Sequence, residues 1–249
     1  DVPPLGYKVY DLRVEKVEAE TDLVAGEWFM ENSYLRVEID PETGLVKRIF
    51  DKKTGREVLD NNKRGNVLQL YEDKPPNAPG GEPAWNMYLR NFEELTILES
   101  IEFVEKGPLR AVIRVKRRHG NSTYIQDTIL YAKTPYVEFV LKAYWNERYK
   151  TLKVAFPLSF ENDYATYEIP YGAIQRFRSD IDGSAQLLEL PRRGWEEADK
   201  AKFEVPALKW ANVDTKDKSF GVALLNDSKY GYSYEKNELK LTLLRGPRR

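Results

Sequence analysis

Forty acidic residues and a single histidine, His119, set the terms for any chemistry in these 249 residues. Glycoside hydrolysis is a reaction that carboxylates alone can carry. One donates a proton while another, about 5–9 Å away, acts as nucleophile or base. The carboxylates in irregular stretches are Asp73, Glu82, Asp180, Asp182, Glu196 and Glu197. With so many acids present their number selects no pair, and each is read first as solvated surface charge. His119 stands in Lys116-Arg117-Arg118-His119-Gly120-Asn121, the make-up of a hairpin tip. It is expected as an exposed turn residue rather than a base, and Arg117 and Arg118 as a solvated turn rather than a phosphate site. One histidine and no cysteine exclude a two-histidine metal site, a thiolate site, a cysteine nucleophile and a disulfide from this chain alone. Asn121-Ser122-Thr123 fits the glycosylation triplet and is read as chance.

Lys plus Arg is 39 against 40 acids, so no global field attracts nucleic acid or an anionic membrane. No apolar stretch approaches the ~20 residues of a membrane span. Low Met and absent Cys beside many Lys, Glu and Arg fit a thermophile's habits. The chain starts at Asp1 with no initiator Met or signal segment, so it is expected to be an internal piece of a larger, cytoplasmic polypeptide.

The elements that would position such residues are strands. Leu35, Val37 and Ile39 alternate with Arg36 and Glu38. Pro41-Glu42-Thr43-Gly44 and Asp51-Lys52-Lys53-Thr54-Gly55 then supply turns, giving a three-strand meander over 34–59. Further strands are predicted at 67–71, 94–105, 109–117, 123–131, 136–145, 152–158, 165–169, 207–213, 220–225, 230–234 and 239–244. Residues 195–202 alone could make a turn or two of helix. The fold expected is therefore all-β: a large antiparallel two-sheet sandwich with long loops and little helix. The long loops are 72–88, ending in Ala84-Trp85-Asn86, and 177–199, which carries Trp195. Loops this long are usually functional. Trp85 either stacks on a sugar or an interdomain seam, or packs under its own loop.

Five segments together resemble the C-terminal β region of glycoside hydrolase family 38, the α-mannosidases. They are Val2-Pro3-Pro4-Leu5-Gly6-Tyr7; the meander from Tyr34 through Gly55; Leu152-Lys153-Val154-Ala155-Phe156-Pro157 with Ala165-Thr166-Tyr167-Glu168-Ile169-Pro170-Tyr171-Gly172; Phe203-Glu204-Val205-Pro206-Ala207 with Lys209-Trp210; and Gly221 through Gly231. The resemblance implies a supersandwich of the galactose-mutarotase type. Residues 1–28 would be the tail of a preceding small β element or a linker, and 29–249 the sandwich, truncated at its C-terminal end. Truncation would leave an open edge, expected to be covered by a partner copy or by residues 1–24.

The resemblance also implies that the chemistry lies upstream. In that family a catalytic domain holds zinc or a similar divalent ion with two His and two Asp and carries the aspartate nucleophile. This chain matches none of those motifs, so it is expected to hold no cofactor and no catalytic residue, and to be inactive alone. Its implied role is non-catalytic: supporting the catalytic domain of the same polypeptide and helping to line a cleft for α-mannoside or another glycan. Arg245 in Leu243-Leu244-Arg245-Gly246-Pro247 matches a sugar-contacting arginine, and a guanidinium fork suits paired hydroxyls. It reads equally as a surface arginine closing a strand. Arg176, Trp85 and Asn86 are the further substrate-binding candidates. Phe177-Arg178, Leu208 and Asn212 depart from the family's pattern at that surface. The alternative is a free-standing carbohydrate-binding sandwich. Homo-oligomerisation is left open, and no nucleic-acid or membrane partner is expected.

Overall fold

In a computed structural model of the chain, which describes residues 2–11, 14, 20–73, 87–178 and 204–246, local turn chemistry builds the first sheet. The two turns at Asp40–Gly44 and Asp51–Gly55 are made alike. Each Asp carboxylate accepts the backbone N–H two residues on, from Glu42 at 3.0 Å and from Lys53 at 2.8 Å. Each closing glycine takes positive φ, 65° and 69°, and donates its N–H to the Asp carbonyl. At Gly44 a Cβ would also lie 2.8 Å from Val115, so the turn is pressed against the neighbouring sheet. These turns join β3 (Leu35–Ile39), β4 (Val46–Asp51) and β5 (Arg56–Glu57). With β1 (Val24–Ala25) and β2 (Phe29–Glu31) they form a five-stranded antiparallel sheet in sequence order.

Two four-stranded sheets follow. One has the order β11 (Val137–Tyr144), β10 (Ser122–Tyr131), β9 (Arg110–His119), β8 (Ser100–Lys106), which are chain neighbours joined by short turns. The other has the order β14 (Gly172–Phe177), β13 (Tyr164–Ile169), β16 (Trp210–Asp214), β17 (Gly221–Leu225). A six-stranded sheet is gathered from distant parts of the chain: β15 (Val205–Pro206), β18 (Gly231–Glu235), β19 (Glu238–Gly246), β12 (Lys150–Pro157), β6 (Val67–Asp73), β7 (Leu89–Glu94). Every pairing is antiparallel and no described residue is helical; residues 195–202 lie outside the described part.

The all-β expectation holds, but the two-sheet sandwich does not. Hydrogen bonding divides the strands among four sheets, a propeller-like grouping of small sheets. Alternation and turn residues identify strands and hairpins, but they carry no information on which hairpins pair with one another. Here the hairpin groups close among themselves, and among the described residues β11 and β17 are two of the sheet edges left open. One apolar core still runs through all four sheets, from Met30 and Val37 to Ile113 and Tyr124, Leu152 and Leu241, and Tyr167 and Val213. The C-terminal strand leaves no open edge, because β19 lies between β12 and β18. β1, the strand at the end of the 1–24 segment, pairs with β2 and is itself a sheet edge, so it covers neither β11 nor β17.

Candidate functional site

The central strands of the six-stranded sheet, β12 and β6 above all, are buried on both faces, and the two faces differ. Leu68 and Leu70 of β6, Leu152, Val154 and Phe156 of β12, and Leu239 and Leu241 of β19 point into the apolar core. Alternation sends the residues between them to the opposite side. Register then collects them: Lys153 lies opposite Gln69 on one side and Thr242 on the other, and Thr151 lies opposite Tyr71 and Arg245. Directly opposed residues share a face. The second face is thus polar, and Gln69, Asp73, Thr151, Lys153 and Lys240 are all buried in it.

Arg245 is held at one end of this face. Its Nε donates to Asp73 Oδ2 at 2.5 Å, and Thr151 Oγ1 donates to the same oxygen at 2.9 Å. The backbone N–H of Tyr88 donates to Asp73 Oδ1 at 2.7 Å, while the Asp73 N–H donates to the Tyr149 carbonyl. Asp73 therefore holds the backbone at Tyr88 as well as anchoring Arg245. Gly246 keeps the strand end close: Tyr149 N–H donates to its carbonyl at 2.7 Å, and a Cβ there would run into the Glu147 carbonyl and lie 3.1 Å from the Trp145 indole nitrogen. Burial pushes the Asp73 carboxyl up, but the Arg245 guanidinium and the Tyr88 and Thr151 donors outweigh it and hold the group below the usual carboxylate range.

The rest of the face is paired in the same manner. Lys153 Nζ donates to Glu204 Oε2 at 2.6 Å, and Thr242 Oγ1 donates to that same oxygen. Lys240 lies 2.8 Å from Glu235 and 3.4 Å from Glu238, with the Tyr71 hydroxyl at 3.3 Å. Burial pulls the Lys240 ammonium down, yet the Tyr71 oxygen, Glu235 and Glu238 hold it above the ordinary lysine range. Burial pushes Glu238 up, and Lys63 and Lys240 more than reverse that. Carboxylates held ionised cannot donate protons near neutral pH, and an ammonium held protonated is neither base nor nucleophile. The geometry supports a rigid mount for Arg245 rather than an acid–base pair.

Of the candidates read from sequence, Arg245 is in this constellation. Arg176 is not: on β14 it donates to the Pro206 carbonyl at 3.1 Å and lies 5.2 Å above the Tyr167 ring, on a different sheet. Trp85, Asn86, Trp195 and the carboxylates Glu82, Asp180, Asp182, Glu196 and Glu197 lie outside the described residues. Asp73, read as a loop carboxylate, is instead buried at the end of β6. His119 is half-buried at the end of β9 with Nε2 3.1 Å from Glu93. The expectation of a solvated Arg117–Arg118 turn is wrong for Arg117, which is 1% exposed. The inward register of Ala111, Ile113 and Val115 continues to position 117, so Arg117 turns into the protein and donates to Gln126 and the Thr96 carbonyl. Burial lowers its guanidinium to about 10.

Sequence reading missed Lys153, Lys240 and Glu204. The available signal was a lysine inside each of two apolar strands, Leu152-Lys153-Val154 and Leu239-Lys240-Leu241, where alternation puts it on a face that is not solvent. Among the described residues no three His, Cys, Asp or Glu side chains gather as a metal site.

Comparison with known proteins adds the context. Residues 30–249 match the family described as the glycosyl hydrolases family 38 C-terminal domain. Alpha-mannosidase 2C1 of Homo sapiens is 32% identical over 240 residues, covering 93% of this chain and 20% of that protein. Alpha-mannosidase G of Dictyostelium discoideum is 32% identical over 243 residues, covering 94% of this chain and 20% of that protein. The chain thus spans about a fifth of the length of these curated relatives. A crystal structure of a glycosyl hydrolase family 38 protein from Enterococcus faecalis is similar in fold, with a TM-score of 0.71 at 14% identity, over 95% of this chain and 29% of that one.

Proposed function

Because this chain belongs to the glycosyl hydrolases family 38 C-terminal domain family, we propose that it works as a non-catalytic part of a longer α-mannosidase polypeptide. It braces a catalytic domain located elsewhere in that polypeptide, where zinc or a similar divalent ion would sit, and it offers Arg245 to the hydroxyls of a bound α-mannoside. One observation carries the reading: Arg245 is fixed by the buried Asp73, which also holds the backbone of Tyr88, just after the candidates Trp85 and Asn86 in sequence. A preorganised guanidinium is suited to sugar hydroxyls, and its loss should remove charge-assisted hydrogen bonds.

The test is hydrolysis of an aryl α-mannoside by the full-length polypeptide with zinc or cobalt added. Arg245→Lys is expected to lower kcat/KM by roughly 10- to 100-fold, the equivalent of about 1.5–3 kcal/mol for a hydrogen bond to a charged group. The 249-residue chain alone is expected to give no turnover. Unchanged kcat/KM in Arg245→Lys would remove the sugar contact from the reading. Turnover by the isolated chain would overturn the supporting role.

A further inference from the structure

A groove of about 910 Å³ opens into the apolar core between the edge strands β11 and β17. Its floor is core: Val154 and Phe156 of β12 and Leu241 and Leu243 of β19 reach it. Its walls are unusual. Consecutive residues line it on both sides, 137–141 of β11 and 221–225 of β17. A strand that shows a face contributes alternate residues, whereas one that shows its edge contributes every residue together with its main chain. Among the described residues β11 pairs only with β10 and β17 only with β16, so both walls present backbone donors and acceptors that no described strand matches along an apolar trench. Long apolar open edges of this kind are ordinarily paired or covered.

We infer that the groove receives an extended segment of the longer polypeptide, added as a β-strand along one of these edges. The occupant's chemistry follows from the walls and floor. Main-chain hydrogen bonds satisfy the edge, and apolar side chains at every second position meet Phe156, Leu241 and Leu243. The source follows from length, since four-fifths of the relatives' polypeptide lies outside the part this chain matches. The inference rests on the reading that the chain works within such a polypeptide, but it needs no turnover.

Amide hydrogen exchange of the 249-residue chain and of the full-length polypeptide tests it. Peptides covering β11 and β17 should exchange at least ~10-fold more slowly in the full-length protein, while the β4–β5 turn exchanges equally in both. Site-resolved maleimide labelling gives a second readout, because the chain has no cysteine of its own. Ala223→Cys should react in the short chain and be shielded in the long one, whereas the exposed Lys216→Cys should react in both. Equal exchange and equal labelling in the two proteins would overturn the proposal. Protection in the short chain that disappears on dilution would assign the groove to a second copy and overturn it as well. Protected strands in a full-length protein without mannosidase activity would sustain this inference while the functional reading failed.

Discussion

Replacing Asp73 by Asn tests the mount of Arg245 directly, because the two side chains have nearly the same shape. Three donors converge on the carboxylate: Arg245 Nε and Thr151 Oγ1 on Oδ2, and Tyr88 N–H on Oδ1. An amide offers one oxygen. If that oxygen faces Arg245, the new NH2 group confronts the Tyr88 N–H; if it faces Tyr88, the NH2 confronts the guanidinium. Either way one donor is left unmatched, at a cost of about 1–3 kcal/mol, and Arg245, itself mostly buried, loses its counter-charge. Together these give about 2–4 kcal/mol, or roughly 4–16 °C in thermal midpoint for a chain of this size. The pH dependence follows with a definite sign. Asp73 has a depressed native pKa, so its contribution is full above the unfolded value of about 3.9 and is lost as pH falls through the lower native value. Melting curves of both proteins from neutral pH toward about pH 3 should therefore show the gap between them narrowing in acid. A midpoint shift under about 2 °C near neutral pH, or a gap that does not narrow, would refute the clamp.

Two further outcomes are expected. Lys153→Met leaves Glu204 buried beside Thr242 without its ammonium partner and should cost about 3 kcal/mol; adding Glu204→Gln should recover most of it, which a double-mutant cycle in urea would resolve. Gly44→Ala should destabilise by more than the ~1–2 kcal/mol of a left-handed backbone, because Val115 stands 2.8 Å from the new methyl group, whereas Gly55→Ala, with open space around it, should cost the backbone part only. Equal midpoints for the two glycine variants would mean that the contact between sheets at Val115 yields freely.

What the sequence made legible was local. The two Asp-to-Gly turns, the meander they join and the strands from β9 to β13 follow from alternation and turn chemistry within a dozen residues. Sheet membership does not. β6 meets β12 about eighty positions later, β12 meets β19 almost ninety beyond that, and nothing within a strand encodes either pairing. The site was legible in half. Arg245 stood out by resemblance, but its partner Asp73 looked like one more loop carboxylate, since the donors that bury it come from positions 88, 151 and 245. Arg117 shows the opposite failure, for a basic run that looks solvated obeys the strand's alternation and turns one member inward.

The place of β19 has a consequence for how the protein is made. It is the last strand in sequence but lies inside its sheet, between β12 and β18, and its residue Arg245 closes on Asp73 of β6. During synthesis β6 and β12 leave the ribosome long before the strand that joins them to β18. At about 5–20 residues per second the interval between β6 and β19 is roughly 10–35 s. Throughout it Asp73 lacks its guanidinium, and from about its midpoint, when β12 has been made, β12 presents a bare edge. The first five-stranded sheet, ordered as its strands emerge, can form at once, so the chain is expected to fold from its N-terminal side and to depend on holdase protection until residues near 246 are free.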